Sequence, residues 1–168
     1  MDRKSFITTG IGAGLGLSLT PYLVLSKGLQ EPAQLEKPLV KEFVVAGHKD
    51  LDKVKSMLND YPNLLYCRYD WGNGDFEEAI EGAGHLGNKE IANYLIEQGA
   101  RVNIFVLTML GKVKIVKSML QEYPNLVNAK GPHGFTLLHH AKVGGEESRE
   151  LFDYFQEKGL TETNIPLR

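Results

Sequence analysis

Lys53–Arg68 reads KVKSMLNDYPNLLYCR, and Ile115–Lys130 reads IVKSMLQEYPNLVNAK. A phrase written twice limits the possible folds more than any other feature of the chain, because a repeated phrase requires a repeated structural unit. The two copies keep Ser-Met-Leu and Tyr-Pro-Asn-Leu in register, and Pro62 and Pro124 each end an apolar helical stretch firmly. Their offset is close to two periods of about 33 residues, so a further unit is expected between them.

That unit is present. Gly87–Asn103 reads GNKEIANYLIEQGARVN, and Gly111–Leu120 repeats the same offsets as GKVKIVKSML. The stripes Ile91, Tyr94 and Leu95, then Ile115, Val116 and Met119, then Leu151, Tyr154 and Phe155 recur at helical spacing, which places each set on one helix face. One helix pair cannot bury such a face alone, so the copies are expected to stack into a continuous core. Pro38 suits a first helical position, and Gly99 and Gly159 suit helix ends.

Gly87, Asn88, Ile91, Leu95, Ile96, Gly99, Ala100, Val102 and Asn103 fall on the second-helix pattern of ankyrin repeats, which this stretch resembles. In GFTLLHHAKVGG, the residues Gly134, Thr136, Leu138, His139, Ala141 and Gly145 resemble the first-helix signature, with Leu137 in place of its Pro. The resemblance implies an all-α, ankyrin-repeat solenoid of about four helix pairs over residues 38–159, with irregular or missing β-hairpin fingers. The third copy lacks its finger, since only Ala100–Asn103 separate Gly99 from a first helix starting at Ile104. The first and fourth copies carry extra residues, near HKDLD after Gly47 and EESRE after Gly145. The resemblance further implies a non-catalytic, monomeric module that meets a protein partner through its fingers and first helices. His139 matches a structural His of the signature.

The 168 residues carry 19 basic and 21 acidic side chains with no dense Lys/Arg run, which argues against nucleic acid as partner. The single Cys67 excludes an internal disulfide and every Cys-rich zinc pattern. No hydrolase Gly-x-Ser-x-Gly and no phosphate-cradling loop occurs outside the N-terminal stretch. There, MDRKSFITTG precedes an uncharged run from Phe6 to Leu25, and Arg3-Lys4-Ser5-Phe6-Ile7 resembles a bacterial twin-arginine signal. Residues 1–27 are therefore expected to export the chain to the periplasm or, uncleaved, to anchor it to the inner membrane. Residues 28–37 read as a polar linker, and 160–168 as a C-terminal tail.

The least generic stretch is DWGNGDFEEAIEGAGH, Asp70–His85. Asp70, Trp71, Asp75, Glu77, Glu81 and His85 are candidates for partner contact there, joined by His133 on the Gly-Pro-His-Gly turn and by His140. Asp75 and Glu78 have capping-box spacing. The alternative is a metal-dependent enzyme or ligand binder: Glu78, Glu81 and His85 at i, i+3 and i+7 share a helical face that suits zinc. No catalytic residue, metal ligand or cofactor is assigned from the sequence.

Overall fold

In a computed structural model that describes residues 33–167, the chain is mostly helical, with eight α-helices and two short strands among the described residues. The first pair is α1 (Lys37–Gly47), with Pro38 in its first turn, and α2 (Leu51–Asp60), whose start is capped by the Asp50 side chain accepting the Lys53 N–H. A 3-10 turn over Pro62–Tyr66 ends α2, and a matching turn over Pro124–Asn128 ends α6 (Val113–Glu122). The twice-written phrase is thus a second helix and its stop.

Strands β1 (Arg68–Asp70) and β2 (Phe76–Glu78) form an antiparallel hairpin in which Tyr69 faces Glu77. Its turn needs Gly72, Asn73 and Gly74 because all three hold positive φ. Helices α3 (Ala79–His85) and α4 (Lys89–Glu97) follow, then α5 (Ile104–Met109), whose first N–H groups are accepted by Asn103. Ala100–Asn103 carries no strand, in keeping with the expected missing finger. The last pair is α7 (Leu137–Val143) and α8 (Arg149–Glu157), with EESRE folded into a 3-10 turn over Gly145–Ser148 and the start of α8.

Helix α1 packs on α3, α3 on α5 and α5 on α7, while each also packs on the helix that follows it. One buried apolar group, including Phe43, Val44, Val54, Leu64, Ile91, Leu95 and Met109, runs from α1 to α5. A second, including Val116, Leu137, Leu151 and Phe155, runs from α5 to α8. The close approach of α1 to α3 depends on Gly47, where an added Cβ would clash with the Ala79 carbonyl oxygen. Segment 160–167 is bound into the fold: Thr136 donates to the carbonyls of Thr163 and Glu162, and Ile165 N–H donates to Gly134.

Two expectations are corrected. Ile115 is 50% exposed, because the buried stripe of α6 is Val116 and Leu120, with Val113 and Met119 half-buried at its edge. The reach-back bond at the start of α3 joins Glu81 to the Glu78 N–H at 2.8 Å, while Asp75 is engaged elsewhere. The proposed signal, residues 1–27, lies outside the described residues, as do residues 28–32 of the linker. Among the described residues, no helix is long and apolar enough to cross a membrane.

His140 is buried against Phe105 with Nδ1 donating to the Thr136 carbonyl, and burial lowers its pKa to about 3. The unfolded chain binds that proton near pH 6.5, whereas the folded chain refuses it until about pH 3. Stability therefore falls as pH drops below 6.5, at a slope approaching about 1.4 kcal/mol per pH unit. His140→Leu is expected to move the midpoint of acid unfolding, followed by circular dichroism, to lower pH. The Thr136 carbonyl keeps the backbone N–H of residue 140 as donor in that variant.

Candidate metal centre

Glu77 stands on β2 just before α3, and its side chain is 0% exposed. Burial, the largest single influence on it, pushes its pKa up. Hydrogen bonds and positive charge from His48 and His85 outweigh that and hold it at about 2, so Glu77 is a buried anion. Three imidazoles surround it. His85 Nε2 lies 2.8 Å and His48 Nε2 3.4 Å from Glu77 Oε1, and His133 Nε2 lies 3.5 Å from Oε2. The Nε2 atoms of His48 and His85 are 3.1 Å apart, and one ligand atom from each of the four residues falls within 4.8 Å of all the others.

Each ligand comes from a different local device. His48 follows the last residue of α1, and His85 is the last residue of α3. The His48 ring lies over α3 where Gly82 has no side chain: a Cβ there would sit 2.7 Å from His48 Nδ1. His133 occupies the turn Pro132–Gly134 at φ +59, a left-handed conformation that His tolerates better than most residues. Asp75 fixes that turn twice, accepting the His133 backbone N–H at 2.9 Å and its Nδ1 at 2.7 Å. Asn164 Nδ2 donates to the His133 carbonyl, so the C-terminal tail also holds the turn. With no hairpin on the third pair, the turn before α7 reaches the hairpin before α3 directly.

The outer contacts orient lone pairs inward. His48 Nδ1 donates to the Val44 carbonyl at 3.0 Å, which leaves Nε2 unprotonated in the neutral ring. The bond from His133 Nδ1 to Asp75 Oδ2 does the same. Trp71 Nε1 donates to Glu77 Oε2 at 2.8 Å. Such carbonyl and carboxylate partners behind imidazole ligands are the usual outer shell of a metal site. His85 is the exception: its buried Nδ1 has no partner among the described residues, and the ring is held by stacking on Phe135 at 5.0 Å.

Two imidazole nitrogens 3.1 Å apart repel each other unless a proton or a cation lies between their lone pairs. A proton does this in part, since the hydrogen bond to Glu77 raises the His48 pKa against the opposing effect of burial. A divalent ion among these four donors would satisfy them together. Three imidazole nitrogens and one carboxylate oxygen suit zinc and its transition-metal neighbours.

Of the candidate residues, Trp71, Asp75, Glu77, His85 and His133 come together in or around this centre. Asp70 accepts the Gly72 N–H within the hairpin turn. Glu81 is buried and paired with Arg68 and Asn103 instead, and His140 lies in the core. The helical trio does not converge: Glu78 and Glu81 meet Arg68, while His85 meets Glu77. Burial raises the pKa of both Glu78 and Glu81 against the pull of the Arg68 guanidinium.

His48 was not among the candidates. The signal for it is the tripeptide Ala-Gly-His, which occurs at Ala46–His48 and again at Ala83–His85, with the two His 37 residues apart. A scan against protein-family models finds no match, and a search among curated proteins finds no similar sequence.

Proposed function

We propose that this chain binds one divalent transition-metal ion through His48, Glu77, His85 and His133. One observation carries the reading: imidazole nitrogens from three separate segments converge on a fully buried carboxylate, with one ligand atom from each of the four residues within 4.8 Å of the others. Burying a carboxylate costs several kcal/mol unless it is paired, so a site built this way is organised for a positive charge. The test is calorimetric titration of the full chain with zinc at neutral pH, with the emission of the single Trp as a second signal. One ion per chain and a change in emission are expected. No heat and no retained metal after desalting would refute the reading.

The scaffold is proposed to be an ankyrin-type stack. The side-by-side packing of α1, α3, α5 and α7 supports this, and an experimental structure in which those helices are not neighbours would overturn it. The signal-like start supports export to the periplasm, which cell fractionation tests. A second reading, a module that holds a protein partner, is favoured by the exposed rings of Trp71 and Phe76 on the hairpin. Capture of a single stoichiometric partner from the periplasmic fraction, lost on Phe76→Ser, would support it; undiminished capture by that variant would remove the hairpin from the contact.

A further inference from the structure

We infer that Trp71 decides which ion the centre accepts, by restricting Glu77 to one ligating oxygen and so making the site four-coordinate and selective for a zinc-class ion. This rests on the cation-binding reading above.

The two Glu77 oxygens have different surroundings. Oε1 faces His85 Nε2 at 2.8 Å and His48 Nε2 at 3.4 Å. Oε2 accepts the Trp71 indole N–H at 2.8 Å and has His133 Nε2 at 3.5 Å. An indole nitrogen donates and has no lone pair to offer a metal. Its polar contact with the centre is therefore confined to Oε2.

The ring is held for that task. Tyr69 meets it edge-on at 4.9 Å, the His133 ring at 5.7 Å, and Lys41 Nζ lies 5.5 Å from its centroid. Trp71 is nevertheless 37% exposed, so its contribution to the core is small. A large aromatic left at the surface with its one polar atom turned inward onto a ligand is a positioning residue.

The consequence is a choice of coordination number. With Oε2 engaged, the chain offers three nitrogens and one oxygen, the tetrahedral set zinc prefers. With Oε2 released, the carboxylate can chelate through both oxygens and supply a fifth donor. That favours larger oxygen-seeking ions such as manganese, which suit carboxylate-rich sites of higher coordination. Trp71 thus discriminates between ions without touching either.

The test compares the full chain with Trp71→Phe, which keeps an aromatic ring against Tyr69 and removes the N–H. Each protein is loaded with cobalt for visible absorption, and zinc and manganese affinities are measured by competition. The wild-type chain is expected to give the intense visible bands of four-coordinate cobalt. In Trp71→Phe those bands weaken toward the five-coordinate pattern. Zinc affinity falls about 10–100-fold, the usual cost of losing an outer-shell partner. Manganese affinity does not fall, so the zinc-over-manganese ratio narrows by the same factor. Circular dichroism is expected to show the variant as folded as the wild-type chain. Unchanged cobalt bands, or equal losses for zinc and manganese, would reduce Trp71 to a structural residue and overturn the inference while leaving the cation site in place. A wild-type chain that takes up neither cobalt nor zinc would overturn the cation reading itself, and this inference with it.

Discussion

Glu77→Gln is expected to lower zinc affinity by more than about 100-fold, beyond the upper end of what loss of an outer-shell partner costs. The substitution keeps the size of the side chain, and an amide oxygen can still accept from Trp71. What it removes is the negative charge at the centre of three imidazoles. A neutral amide oxygen is a poor donor to zinc, and the remaining His ligands then gather around an uncompensated dication. His85→Phe is the companion variant: the ring still stacks on Phe135, but a ligand is gone. Calorimetric titration of both variants at pH 8 checks the expectation, and zinc binding within tenfold of wild type in Glu77→Gln would exclude Glu77 as a ligand. Affinity in the wild-type chain should also fall with acidification. Zinc must displace the proton that the Glu77 hydrogen bond helps His48 to retain, so binding weakens as pH drops through the raised His48 value.

The helices were legible because their signals are local. Pro62 and Pro124 stop two second helices, and Ile91, Leu95, Val116, Leu151 and Phe155 are buried where their spacing puts them. Ile115 was misplaced because a stripe of three apolar residues in the repeated phrase is wider than the face α6 buries, and spacing does not say which edge stays wet. The centre was half legible. Trp71, Asp75, Glu77 and His85 sit in one unusual segment, and His133 in a turn of special conformation. Their convergence was not readable, because it depends on how far a turn before α7 reaches past a pair without a hairpin. The trio Glu78, Glu81 and His85 misled for a related reason. It assumes one continuous helix, whereas α3 begins only at Ala79, so Glu78 lies on the strand and its neighbour Glu77 points the opposite way, into the imidazoles.

Zinc is expected to raise the thermal midpoint of the chain by on the order of 10 °C. The four ligands come from α1's end, the hairpin, α3's end and the turn before α7, so one ion joins segments that the two apolar groups hold separately. An ion that binds only the folded chain stabilises it by about 4 kcal/mol at a thousandfold excess over its dissociation constant. In a chain of this size each kcal/mol moves the midpoint by roughly 2–4 °C. Scanning calorimetry with zinc, then with a chelator, measures the effect directly. The shift should be reversed by the chelator and absent in Glu77→Gln. Its location is as informative as its size. If the ion acts as a clasp between the first, second and fourth pairs, amide exchange should slow most at Gly131–Phe135 and at the hairpin. Protection confined to α1 and α3 would mean that His133 does not ligate and that the turn is held by Asp75 alone.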